Sequence, residues 1–357
     1  MESSTYKFWL SKYDALPRGT QQLIAESVLQ KSLELYLNPT EKCNFRCTYC
    51  YEDFALGRMQ PVVIRRVKKF IIRQLKGRTR LYLNWFGGEP LLAAQVIYDL
   101  AGWAKRYCKR QGISCTGAMT TNGYLLTVEV IRKLVEVNMT YFQITLDGYG
   151  SAHDAMRKRA DGRGTFDTLW ANLIQARDTS LAFRILLRVH VRRDGFDIAK
   201  ELLERIDHTF GSDTRFQIGL HPLEDLGGPQ SGLVPSIDHA TFEEWSLLLQ
   251  ARDGKRSSVT DMRKDMVVAP GQDACGTSVC YACKNNSFHV RSDGRVGKCT
   301  VALDKDYNLI GTLDDRGCLD VDSRKLAKWT RGLITLNEQD LGCPFSKGDA
   351  YFEDTIG

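Results

Sequence analysis

Apolar residues along this chain follow two alternating rhythms: short continuous runs, and stretches where they recur every three to four positions. The runs at 33–37, 81–86, 114–119, 141–146, 183–191 and 215–220 read as buried strands. Helical repeats lie between them. One spans 62–75, where Val63, Val67, Phe70 and Ile71 share a face and Gly77 ends the pattern; others span 93–109 and 128–137, and more begin near Phe166, Ile198 and Phe242. Six strand-helix units in succession predict a parallel α/β fold, short of a complete eight-unit barrel, whose functional residues gather at the carboxyl ends of the strands. The rhythm lapses at Leu226-Gly227-Gly228-Pro229-Gln230-Ser231-Gly232, a run of turn formers that marks a linker, and a helix over 242–249 is expected to close the barrel. Residues 288–299 then form a predicted hairpin turning at Asp293-Gly294 and delivering Cys299 from its second strand. The expected organisation is an N-terminal extension (1–32), a partial barrel (33–225), a linker with the closing helix (226–270) and a small cysteine-rich domain (271–357).

Composition narrows the class. With 357 residues, 43% of them hydrophobic, the chain can bury a sizeable core. The net charge of +6 is spread over both signs and makes no case for nucleic acid. No run near Met1 has the form of a signal peptide, and none approaches the roughly 20 apolar residues of a membrane span. A cytoplasmic protein without a membrane partner is expected. There the eleven cysteines would stay reduced, which points them toward metal or catalysis.

The densest chemistry follows the first strand. Cys43, Cys47 and Cys50 stand at a CxxxCxxC spacing in Lys42-Cys43-Asn44-Phe45-Arg46-Cys47-Thr48-Tyr49-Cys50. Three thiolates can hold three irons of a four-iron, four-sulfur (4Fe-4S) cluster and leave the fourth iron open, with Phe45 and Tyr49 shielding it from water. A zinc knuckle, or plain reduced loop cysteines, would use the same spacing. Gly87-Gly88-Glu89-Pro90 follows the second strand, Thr120-Thr121-Asn122-Gly123 the third and Thr145-Leu146-Asp147-Gly148 the fourth. After them come His153-Asp154-Ala155-Met156-Arg157 and Arg163-Gly164-Thr165-Phe166. Taken singly, GGEP suits a glycine-rich turn, and His153 with Arg157 suits a solvated helix start.

In this order the motifs resemble those of the radical S-adenosylmethionine (radical SAM) enzymes, over about residues 33–345. The resemblance implies a partial (β/α)6 barrel and a site-differentiated 4Fe-4S cluster on Cys43, Cys47 and Cys50. It implies S-adenosylmethionine held by Gly87, Gly88, Glu89, Asn122, Thr145, Asp147 and Arg157. Glu89 would meet the methionine ammonium and Arg157 the methionine carboxylate, and Thr145 stands where the family usually has serine. The HxxxR and GTF segments resemble the peptide-modifying branch, which implies hydrogen abstraction from a peptide or protein substrate, in a cross-link, epimerisation or oxidation, with an electron donor such as flavodoxin or ferredoxin. Alternatives are dehydrogenation of a small-molecule alcohol and anaerobic sulfatase maturation. Against the latter, Thr300 follows Cys299 where sulfatase-oxidising relatives place an aspartate. No catalytic acid or base stands out.

Cys275, Cys280, Cys283, Cys299, Cys318 and Cys343 form a late group. The hairpin and Asn308-Leu309-Ile310-Gly311-Thr312-Leu313 resemble the auxiliary-cluster domain called SPASM, or twitch in its shortened form. Six cysteines cannot ligate two full clusters, so one auxiliary 4Fe-4S cluster is expected. Cys283, Cys299 and Cys343 fit that pattern, Cys275 and Cys280 compete for the fourth place, and zinc on Cys280-x-x-Cys283 stays open. Cys108 and Cys115 read as small buried hydrophobes. The helix after Pro61 carries Arg65, Arg66, Lys68, Lys69, Arg73 and Lys76, a face that is either solvated or a dock for an acidic leader peptide.

Overall fold

The computed structural model describes residues 4–29, 31–251 and 279–353. Two helices, α1 (Ser4–Ala15) and α2 (Arg18–Leu29), precede β1 (Ser32–Leu37). After the short β2 (Phe45–Cys47) come α3 (Pro61–Gln74), β3 (Arg80–Trp85), α4 (Ala94–Gln111), β4 (Ser114–Thr121), α5 (Val128–Glu136) and β5 (Met139–Leu146). Next are α6 (Ser151–Met156), β6 (Arg157–Arg159), α7 (Phe166–Arg177), β7 (Arg184–Val191), α8 (Phe196–Phe210), β8 (Phe216–Pro222) and α9 (His239–Ala251). The C-terminal part holds β9 (Ser287–Val290), β10 (Arg295–Gly297), β11 (Leu309–Leu313), β12 (Leu319–Val321) and α10 (Ser323–Thr335).

Strands β1, β3, β4, β5, β7 and β8 pair in parallel in that order, so the six expected units form one open sheet with β8 at its edge. The apolar stripe of α3 (Val63, Ile64, Val67, Phe70, Ile71) is buried as its spacing predicts, and Pro61 starts the helix where its missing N–H costs nothing. Beyond β8, Trp245 of α9 meets Phe196 edge-on at 5.3 Å.

The sheet does not stop at β1. Strand β9 pairs in parallel with its other edge, Glu34 to Val290 deep, and the β9-β10-β11-β12 meander continues it into ten strands. Buried polar contacts hold this seam. Arg291 grips Glu41 with two charge-assisted bonds of 2.9 and 2.6 Å, His289 Nε2 lies 3.1 Å from Asn38 Oδ1, and Lys284 Nζ lies 3.4 Å from Glu34 Oε1. Phe70 meets Phe288 edge-on at 5.6 Å across the same boundary, within one continuous hydrophobic core.

The N-terminal extension is helical and packs on the C-terminal part. Trp9, Tyr13, Leu16 and Ile24 lie against Val279, Cys283, Leu333 and Leu341, and Trp9 Nε1 donates to Leu333 O at 3.3 Å. The basic face of α3 is largely used within the chain. Arg66 pairs with Asp315 at 2.8 Å, Lys69 and Arg73 donate to the carbonyls of Asp315 and Arg316, and Lys68 pairs with Asp99. Leader docking there would have to displace the chain's own β11-β12 turn. Among the described residues no helix is long and apolar enough to cross a membrane.

Candidate active site

The loop after β1 brings Cys43, Cys47 and Cys50 together, each partly buried and unbridged. Short-range backbone bonds fold it: Phe45 N–H points at Cys43 Sγ (3.3 Å) and Cys50 N–H donates to Cys47 O (3.2 Å). Its β2 segment pairs with β6 so that Cys47 stands opposite Arg157, and Thr48 N–H donates to Met156 O at 2.9 Å. Burial pushes the Cys50 thiol up to about 12 and Cys43 higher still, and Cys47 adds to the rise in both. A dry group of thiols that resist ionising alone is one that a cationic metal cluster would satisfy.

Gly87 and Gly88 are required by this loop. A Cβ on Gly87, at φ +102°, would stand 2.3 Å from Thr40 O, and one on Gly88 would stand 2.6 Å from Lys42 O. The glycine pair therefore seats the GGEP turn on the backbone that leads into Cys43. Glu89 is fully buried and already engaged. Its Oε1 accepts from Leu91 N–H (3.0 Å) and Thr121 Oγ1 (2.8 Å), and its Oε2 accepts from Asn122 N–H (2.7 Å). It ties the end of β3 to the loop after β4. From that loop Asn122 Nδ2 donates to Asn44 Oδ1 at 2.8 Å and lies 3.9 Å from Cys43 Sγ. Asn172 of α7 braces the loop by donating to Gly123 O and Tyr124 O.

Glu89→Gln is expected to lower the unfolding free energy by about 1.5–3 kcal/mol, because an amide cannot accept from all three donors. S-adenosylmethionine affinity should fall about tenfold or more as Asn122 shifts. Calorimetric titration with unchanged affinity would place Glu89 outside the site.

On the other side of the thiols, Tyr49 is a polar junction as well as a shield. Its hydroxyl donates to Asp147 Oδ2 at 2.6 Å and accepts from Arg157 Nη1 at 2.5 Å. Arg157 also stands 3.7 Å from Asp147 Oδ2, over the Phe45 ring, with its Nε buried and unpartnered. Asp147 Oδ1 lies 2.9 Å from His190 Nδ1, off the line a hydrogen bond prefers, and His190 followed by the Arg157 charge holds its carboxyl well below the usual range despite burial. His153 accepts from Asp147 N–H through Nδ1 (3.4 Å), and burial followed by the Arg157 charge lowers it to about 4, so it is a neutral buttress. Asp154 accepts from Thr165 N–H and Phe166 N–H, which anchors the GTF segment at the start of α7. Thr145 is buried on β5 in register with Arg188.

Sequence reading missed Arg188, His190 and His221. They follow a two-residue alternation in β7 and β8, polar positions in otherwise apolar strands, which was the available signal.

In the C-terminal part the Cys280 thiol is pushed well above its ordinary range, chiefly by the neighbouring Cys283 thiol, with Cys343 and Cys299 also close enough to act on it. Burial, then Cys343, pushes Cys299 up to about 11. Cys283, Cys299 and Cys343, expected together, are thus joined by Cys280, while Cys275 lies outside the described residues. Cys318 sits apart, on the turn docked against α3, with its N–H bonded to Asp314. Cys108 and Cys115 are buried in the core. Among the described residues no three His, Cys, Asp or Glu side chains converge as ligands of one metal ion, the arrangement zinc would need.

Tyr51, next to Cys50, links the two thiol groups. Its hydroxyl points to Thr300 O (3.4 Å), beside Cys299, and Gly228 approaches it so closely that a Cβ there would stand 2.3 Å from Tyr51 O. The loop carrying Gly228 borders a cleft of about 570 Å3, whose far wall includes Asp304, Tyr307 and Asp349.

An open parallel sheet with three thiols after its first strand, a glycine turn after its second and a second thiol group beyond defines a class of iron-sulfur α/β enzymes. Residues 37–187 match the family model described as Radical SAM superfamily, so this stretch is a radical SAM domain. Proteins with this domain bind a 4Fe-4S cluster and S-adenosylmethionine. The cysteine-type anaerobic sulfatase-maturating enzyme of Clostridium novyi (strain NT) is 23% identical over 309 residues, 80% of this chain and 78% of the relative. The serine-type enzyme of Klebsiella aerogenes is 24% identical over 152 residues, only 37% of its own length. Among solved structures, anSMEcpe with bound AdoMet and a peptide superposes with TM-score 0.64 at 20% identity, covering 85% of this chain and 83% of that one. Streptococcus suis SuiB bound to the precursor peptide SuiA gives TM-score 0.61 at 13% identity, over 93% and 77%.

Proposed function

We propose that this chain is a radical SAM enzyme that abstracts hydrogen from a side chain of a peptide or protein, with one auxiliary cluster on Cys280, Cys283, Cys299 and Cys343. The observation that carries the reading is the approach of the two thiol groups through Tyr51, which adjoins Cys50 and whose hydroxyl points to Thr300 O beside Cys299, in a chain that superposes on anSMEcpe and SuiB with their peptides bound. Cys43, Cys47 and Cys50 would hold the cluster, which together with S-adenosylmethionine would supply the radical chemistry of hydrogen abstraction. The chain's own groups bind and orient. The unpartnered Arg157 Nε is a free donor for the methionine carboxylate, Asn122 is aimed by Glu89, and Gly87, Gly88, Thr145 and Asp147 line the same strand ends. Phe45, which is buried, shields the thiol loop from water.

Maturation of a sulfatase is the second reading, favoured by what the similar Clostridium and Klebsiella proteins are. Against it, Thr300 offers no carboxylate, and its hydroxyl is bonded to Tyr281 at 2.9 Å. Dehydrogenation of a small alcohol has no comparable support. The test is anaerobic co-expression with candidate peptides, followed by mass spectrometry. A loss of two hydrogens means oxidation or cross-linking, and unchanged mass with deuterium uptake from solvent means epimerisation. 5'-Deoxyadenosine formation on a small alcohol, with every peptide untouched, would overturn the peptide reading. The electron donor, a flavodoxin or ferredoxin in this proposal, is read by replacing dithionite with each.

A further inference from the structure

Two guanidinium groups stand at the carboxyl end of the sheet, and one carboxylate serves them. Arg157 faces Cys47, Tyr49 and Asp147. Arg188, on β7 between Thr145 of β5 and Gly219 of β8, has no such partner. Among the described residues its one hydrogen bond runs from Nη2 to His221 Nδ1 at 2.7 Å, and its Nε is buried and unpartnered. The carboxylates whose charge reaches it, Asp147 and Glu224, form no ion pair with it; Asp147 is taken by Tyr49, His190 and Arg157. The histidines beside it add no negative charge. His190 and His221 face each other across β7 and β8 with ring centres 5.9 Å apart, and burial lowers both below the usual histidine range, which keeps them neutral.

Arginine keeps its charge in proteins, and a desolvated cation without a counter-ion is costly. S-adenosylmethionine carries a single carboxylate, and the unpartnered Arg157 Nε is the donor proposed for it. We infer that Arg188, with His221 and His190 beside it, is the anchor for a carboxylate of the substrate, so that the enzyme selects a peptide segment carrying an acidic side chain or a free C-terminus. Nε with an Nη offers the two parallel donors that a carboxylate takes, and neutral His190 and His221 add hydrogen-bonding capacity without competing charge. The inference rests on the peptide reading and specifies its substrate class.

Three fluorescent pentapeptide pools test it on reconstituted full-length protein by anisotropy with S-adenosylmethionine present: one with internal Asp or Glu and an amidated end, one without acidic residues but with a free C-terminal carboxylate, and one with neither. Either acidic pool should bind the wild type about tenfold or more tighter than the neutral pool, and which one does so identifies the source of the carboxylate. Arg188→Gln should remove that preference and Arg188→Lys should restore part of it, with iron content unchanged in both. Equal binding of all pools by the wild type overturns the inference, as does a preference that survives Arg188→Gln. A fall in S-adenosylmethionine affinity in Arg188→Gln with peptide preference intact overturns it by assigning Arg188 to the cofactor. Wild-type 5'-deoxyadenosine formation is measured in the same preparation: its absence defeats the radical SAM reading, whereas its presence with no acidic preference defeats this inference alone.

Discussion

Reconstituted protein in which Cys43, Cys47 and Cys50 are all alanine is expected to form no 5'-deoxyadenosine from S-adenosylmethionine and yet to retain about four irons per chain. Each single replacement should also abolish cleavage, because a three-thiolate site has no spare ligand. The loop itself should persist, since its pairing with β6 and the Thr48-to-Met156 bond use backbone alone. Iron analysis with Mössbauer spectroscopy reads the result. Cleavage at the wild-type rate would remove these cysteines from the chemistry, zinc or no metal in the variant would reject the auxiliary cluster, and eight remaining irons would mean two auxiliary clusters.

The reciprocal change acts on the other thiol group. Cys283→Ala and Cys299→Ala should each lower bound iron from about eight to about four per chain, allow uncoupled 5'-deoxyadenosine formation and stop product formation. A fall in solubility should accompany this, because cluster binding is coupled to local folding. Cys283 is fully buried, its sulfur lies 3.3 Å from Gly342 O, and it packs among residues contacted by α1 and α2, so its loss also loosens the N-terminal helices. Iron content that stays at eight in either variant would remove that residue from the ligand set.

The six parallel strands and their helices were legible because each is a short apolar run followed by a 3.6-residue repeat, and the cluster loop because CxxxCxxC with GGEP has few other uses. What escaped was non-local. Nothing in Ser287–Val290 announces that it will pair in parallel with β1, since strand partners carry no mark in a single sequence. Glu89 was expected to face a ligand, whereas its three donors come from residues up to 33 positions away. Helix α10 went unread although it opens with Asp322 capping Arg324 and Lys325, and it leads to the segment that brings Cys343 to Cys280. The pairing of α3 with the β11-β12 turn likewise joins residues 249 positions apart.

The parallel junction of β1 with β9 also bears on modularity. A chain ending at Ala251 would leave the whole flank of β1 as a bare hydrogen-bonding edge, with Glu34 and Glu41 stripped of Lys284 and Arg291. Exposed edges of this kind recruit other chains, so the truncated barrel should aggregate instead of persisting as a small monomer. Grafting the last hundred residues from one relative onto another would break the same register. New substrate preferences are therefore more readily acquired in the loops at the strand ends than by exchanging whole C-terminal parts.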